Sequence, residues 1–105
     1  MVTKKQFGSF QELISGSSKP LLVDFYAPWC GPCQMMATIL EEVNAEMGQR
    51  VQIVKINTET YPDLASRYQI SALPTLVLFK QGEPVARMEG VVPTKQLVQR
   101  LQKFA

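Results

Sequence analysis

At 105 residues, 46% hydrophobic and 19% charged, the chain has the size and mix of one globular domain, 1–105, without the length for a second. Its net charge of +2 comes from scattered residues, the largest basic cluster being Lys4-Lys5, which excludes the basic stripe of a nucleic-acid binder. Two cysteines and no histidine argue against a secreted disulfide scaffold and against a closed zinc site, which needs about four ligands.

The opening residues Met1 to Gln6 contain no apolar stretch of signal-peptide length. A short edge strand is expected over residues 2–6. Ser9-Phe10-Gln11-Glu12 reads as a capping box, in which hydroxyl and carboxylate satisfy the free amides of a helix start. A short helix to about Ser15 follows, ended by Gly16. Leu21 to Tyr26 is apolar without alternation, the pattern of a strand buried on both faces. A long helix then runs from the Cys motif to Met47 and stops at Gly48. Within it Met36, Ile39, Leu40, Val43 and Met47 form one apolar stripe, read as core.

Val51 to Ile56 is the next strand, with Lys55 near its end. Thr60-Tyr61-Pro62-Asp63 opens a helix through Tyr68, Pro62 suiting a first turn. Thr75 to Lys80 is a further apolar strand, and Gln81-Gly82 turns it into a hairpin with Val85 to Met88. Pro93-Thr94 starts a last helix carrying Leu97, Val98, Leu101 and Phe104 on one face. The order β-α-β-α-β-α-β-β-α predicts an α/β sandwich with a mixed central sheet. The apolar runs Leu21 to Ala27 and Leu76 to Phe79 are too short to span a bilayer, so no membrane association is expected.

The chemistry is concentrated at Trp29-Cys30-Gly31-Pro32-Cys33. A helix starting inside this run puts both cysteines on one side, about one turn apart, at a separation that permits a disulfide. The helix start offers unpaired N–H groups and the positive end of the macrodipole, which favour the first sulfur as thiolate. The spacing therefore assigns Cys30 as nucleophile and Cys33 as resolving thiol.

Asp24 is the second anomaly, a carboxylate inside Leu-Leu-Val-Asp-Phe-Tyr. Buried, it would carry a raised pKa and serve as proton donor and acceptor for Cys33. The alternative is an Asp pointing to solvent from an exposed face or a strand end. Leu73-Pro74-Thr75 fits a trans turn or a cis bond, and the general preference of X–Pro bonds favours trans. Gly90 marks a bend or a close approach of another backbone.

The segment Phe25-Tyr26-Ala27-Pro28-Trp29-Cys30-Gly31-Pro32-Cys33 resembles the active site of the thioredoxin family. The resemblance extends through Val23-Asp24-Phe25, Lys55, Leu73-Pro74-Thr75, Phe79-Lys80-Gln81-Gly82 and Gly90, and covers essentially the whole chain. It implies the thioredoxin fold, a three-layer α/β/α sandwich with about five strands and four helices. It implies a protein-disulfide reductase that needs no cofactor beyond its Cys30–Cys33 pair. It further implies disulfide-containing targets and recharging by a thioredoxin reductase, NADPH- or ferredoxin-linked. Asp24 would lie beneath the cysteines with Lys55 close to it, and Pro74 would be cis and face the disulfide. Trp29, Leu73, Pro74, Thr75, Gly90 and Val91 would hold a substrate chain, with Gly31 and Pro32 shaping the loop.

Three residues depart from the family pattern: Tyr26 where Trp is usual, Thr38 where many members carry a helix-kinking Pro, and Gln34 where Lys or Arg is common. A monomer is expected, in the cytoplasm or, after loss of a presequence, in an organelle. Three other readings compete with the reductase. An oxidase or isomerase usually carries His between the cysteines, where this chain has Gly31-Pro32. A binding subunit would use the fold without redox turnover. A metal or cluster site shared by two molecules would bridge their Cys pairs.

Overall fold

The computed structural model of the protein describes residues 3–4, 10–16 and 18–105. Ser9 lies outside them, and with it the expected capping box. The element order is β1 (Thr3–Lys4), α1 (Phe10–Ser15), β2 (Leu21–Tyr26), α2 (Gly31–Met47), β3 (Gln52–Asn57), α3 (Pro62–Arg67), β4 (Thr75–Lys80), β5 (Glu83–Glu89) and α4 (Thr94–Gln102). The strands form one mixed sheet in the order β1-β3-β2-β4-β5.

Strand β2 runs parallel to β3 and antiparallel to β4, so it sits at the centre of the sheet. Helices cover both of its faces, and all six of its residues are buried. This is the reason Leu21 to Tyr26 shows no polar alternation. On one face Leu22, Ile53, Leu76, Leu78 and Met88 pack against Met36, Leu40 and Val43 of α2 and Leu97 and Leu101 of α4. On the other, Leu21, Val23, Phe25, Val54, Val77 and Phe79 pack against Phe10 and Ile14 of α1 and Leu64 of α3. Alternate residues of β2, β3 and β4 thus serve two separate cores, giving the expected α/β/α sandwich with four helices.

The expected boundaries shift by small steps. Strand β3 begins at Gln52 rather than Val51 and extends to Asn57. Helix α3 ends at Arg67, with Tyr68 as its cap. Strand β5 is longer than the pattern suggested, because its solvent-facing residues carry no apolar signal. Gln81 and Gly82 both take positive φ, +54° and +82°, the two-residue turn that matches strand twist in a hairpin. Helix α2 is helical from Gly31 to Met47 without a break at Thr38.

Arg87 of β5 fastens the end of α3 to the sheet. Its guanidinium donates to the carbonyl oxygens of Tyr68 and Gln69, both at 2.6 Å, and pairs with Glu89 at 3.2 Å. Those carbonyls end a helix and flank a left-handed residue, Gln69 at φ +54°, which leads towards Leu73–Pro74. Arg87→Ala should lower stability by about 1–2 kcal/mol, the exposure of the side chain weakening each charged bond. Urea unfolding of the variant checks this.

Candidate active site

The site forms where β2 ends. The Cys30 N–H donates to the Ala27 carbonyl oxygen at 3.2 Å, closing a turn over Pro28 and Trp29. Cys30 stays extended (φ −88°, ψ 112°) and acts as the N-cap of α2. Pro32 fits the first turn of the helix, where its missing N–H costs nothing. The Cys33 N–H then donates to Cys30 Sγ at 3.2 Å, and the two cysteines are joined as a disulfide with Cα atoms 5.2 Å apart. Once that bond is reduced, the same amide and the dipole of a 17-residue helix bear on the Cys30 sulfur.

Overall exposure hardly separates the two sulfur residues, at 5% for Cys30 and 3% for Cys33. The cavities they line do. Cys30 lines a groove of about 490 Å³ together with Trp29, Gly31, Pro32, Ile70 and Leu73. Cys33 instead lines a pocket of about 390 Å³ with Tyr26, Pro28, Gln34, Lys55 and Asn57. Tyr26, Ala27, Cys30, Cys33 and the half-buried Leu73 form a small cluster of their own.

Sheet register delivers the remaining segments. Because β2 and β4 are antiparallel with Phe25 opposite Thr75, the start of β4 meets the end of β2 beside the motif. The Leu73–Pro74 bond is cis, as the family resemblance implied and against the general preference. Thr75 Oγ1 donates to the Ala72 carbonyl oxygen at 2.6 Å and holds this turn. Thr75 pairs with Glu89, so the next residue, Gly90, arrives at Pro74 and donates its N–H to the Pro74 carbonyl oxygen at 2.9 Å. Gly90 has φ +83° with open space around it, so a left-handed backbone is what calls for glycine there. Val91 follows, exposed.

Asp24 is wholly buried, not solvent-facing. No described donor reaches either of its carboxylate oxygens. Burial pushes its pKa from an ordinary 3.8 up to about 7, and the positive charge of Lys55 offsets part of that rise. Lys55 stands opposite Asp24 in the β2–β3 register, on the same face of the sheet. Its ammonium lies over the Tyr26 ring, 4.6 Å from the centroid.

Trp29, 70% exposed, donates its indole N–H to Glu59 at 2.7 Å. Glu59 is in turn placed by its own N–H, which donates to the Asn57 side-chain oxygen at 2.9 Å. Sequence reading missed Glu59, Asn57 and the groove residues Ala65 and Ile70. No local pattern marks them, and only the crossing from β3 into α3 brings them to the motif. Among the described residues no three Cys, Asp or Glu side chains gather in a metal-holding cluster, and no helix is long and apolar enough to cross a membrane.

Comparison with known proteins agrees with this geometry. The Thioredoxin family model matches residues 1–103. A thioredoxin-like protein of Synechocystis sp. is 62% identical over 104 residues, covering 99% of each chain. The chloroplastic thioredoxin Y of Oryza sativa subsp. japonica is 54% identical over 99 residues, which are 94% of this chain and 59% of that protein. A thioredoxin of Synechocystis sp. is 44% identical over 96 residues, 91% of this chain and 90% of the other. Proteins of this kind act on disulfide targets, are themselves reduced by a thioredoxin reductase, and need no cofactor because the redox-active disulfide is part of the polypeptide. With its Cys30–Cys33 pair at the head of α2, the chain belongs to the thioredoxin family and is a thiol–disulfide oxidoreductase.

Proposed function

We propose that residues 1–105 work as one monomeric domain that reduces protein disulfides, with Cys30 as the attacking sulfur. The carrying observation is the Cys30 sulfur at the N-cap of α2, bonded to the Cys33 N–H and open to the groove beside Trp29. In the reduced protein the Cys30 thiolate attacks one sulfur of a target disulfide. That S–S bond breaks, the second target sulfur leaves as thiolate, and Cys30 holds the first in a mixed disulfide. Cys33 then passes its thiol proton to the Asp24 carboxylate, directly or through water, and its sulfur attacks Cys30. The remaining target thiolate leaves, two electrons have moved to the target, and Cys30–Cys33 is oxidised.

Trp29, Leu73, Pro74, Thr75, Gly90 and Val91 hold the target, since the register gathers their segments around the motif. Main-chain groups there bind an extended segment with little demand on its sequence. Gly31 and Pro32 line the groove beside Cys30, and the positive charge of Lys55 holds back the rise in the Asp24 pKa.

A thioredoxin reductase, NADPH- or ferredoxin-linked, returns the electrons, and the chain works in the cytoplasm or in an organelle. Relatives named as chloroplastic and cyanobacterial thioredoxins support both locations. Insulin-disulfide reduction driven by each reductase in turn tests the reading. Turnover with one or both is expected, and no turnover with either would overturn it.

A further inference from the structure

Strands β2 and β3 set up an ion pair that does not form. Asp24 and Lys55 are register partners on adjacent parallel strands, which turns their side chains to the same face. A buried carboxyl and a neighbouring ammonium would ordinarily close on each other, yet no described donor reaches either Asp24 oxygen. The ammonium is instead on the face of Tyr26, two residues beyond Asp24 on the same side of β2, at 4.6 Å from the ring centroid.

We propose that Tyr26 is a positioning residue that holds the Lys55 ammonium on its ring and off the Asp24 carboxyl, so that this carboxyl stays free to exchange protons with Cys33. The ring and the carboxyl compete for one cation. A buried carboxylate tied into an ion pair is a weak base, poorly able to take the Cys33 proton. With the ammonium on the ring, its field still reaches Asp24 but no charged hydrogen bond caps the carboxyl. Tyr26, Lys55 and Cys33 line one pocket, which places the clamp beside the sulfur it serves. In the sheet, β4 sets Leu76 opposite Asp24, and the backbone of β1 pairs Lys4 in register with Lys55. Lys4 is the same in every variant below.

The inference rests on the proposed role of Asp24 only in its consequence. The coupling itself is read in the oxidised protein, without turnover, so it fails or stands apart from that role. Asp24 is titrated by carbon-13 NMR of its carboxyl in wild type, Tyr26→Phe, Tyr26→Leu, Lys55→Met and the Tyr26→Leu/Lys55→Met double variant. Tyr26→Phe keeps the ring and should titrate like wild type, near 7. Tyr26→Leu frees the ammonium to pair with Asp24 and should lower the pKa by about one pH unit or more. Lys55→Met should raise it, and adding Tyr26→Leu to Lys55→Met should change nothing further. An unmoved Asp24 in Tyr26→Leu or in Lys55→Met overturns the proposal. So does a fall that persists without Lys55, which would trace it to water entering in place of the ring. If Tyr26→Leu does not fold, the wild-type protein decides. Lys55 ε-methylene protons shifted upfield by the ring throughout the Asp24 titration sustain the clamp, and unshifted protons refute it.

Discussion

Asp24→Ala should stabilise the folded protein by about 2–4 kcal/mol at pH 8, and the gain should vanish as the pH falls towards 4. The reason is a carboxyl that is wholly buried, receives no hydrogen bond from a described donor and has its pKa pushed from 3.8 to about 7. Below pH 3.8 the group is protonated in both folded and unfolded chains and contributes no difference. Between 3.8 and 7 the folded chain keeps a proton that the unfolded chain has lost, so folded stability falls as pH rises. Above 7 both are ionised and the penalty is constant, about 4 kcal/mol for a shift of this size. Alanine removes the penalty but leaves a small void, which accounts for the lower end of the range. On the proposed role of Asp24 as proton acceptor for Cys33, the same substitution should slow disulfide reduction by roughly tenfold to a hundredfold. Denaturant unfolding and insulin reduction, both followed across pH, check the two halves together. Lower stability with unchanged turnover would make Asp24 a purely structural residue.

Cys33→Ser should trap target proteins on Cys30 as stable mixed disulfides, whereas Cys30→Ser should trap none and lose turnover altogether. In reduced wild-type protein Cys30 should alkylate well before Cys33. The argument lies at the head of α2, where the Cys30 sulfur accepts the Cys33 N–H and sits at the positive end of the helix. A thiolate is stabilised there and is the nucleophilic form. Serine at position 30 is a favoured N-cap, so the helix should survive and the loss of turnover will report chemistry rather than unfolding. Serine at position 33 places a hydroxyl in a buried site at a cost of about 1–3 kcal/mol, and it cannot attack the mixed disulfide. Mass spectrometry of the adducts and timed alkylation with iodoacetamide read both variants. Faster alkylation of Cys33 would reverse the assignment.

Local pattern carried most of the architecture because periodicity and turn chemistry are local physics. The unbroken apolar run of β2, the stripe along α2 and the Gln81-Gly82 turn could be read as strand, helix and hairpin before any contact was known. Each recurs in the structure within one or two residues where it is described. The Cys-Gly-Pro-Cys run was equally legible, since a strand, a helix start and two cysteines three apart suffice to define a thiol pair. Residues whose meaning depends on a distant partner were not legible. Asp24 was divided between core and solvent until the sheet order put β2 at the centre and buried both its faces. Pro74 pointed to trans on general grounds, and only family resemblance argued for the cis bond that the structure holds. Glu59 carried no signal at all, because its bond to Trp29 spans thirty residues of sequence. By itself, then, the sequence determined the elements, their order and the reactive pair. The tertiary structure alone decided which charges are buried, which segments meet at the disulfide, and that Lys55 rests on Tyr26 rather than on Asp24. The physical reason is that desolvation and ionic contact depend on neighbours brought together by sheet register, and register is set by the packing of the whole core.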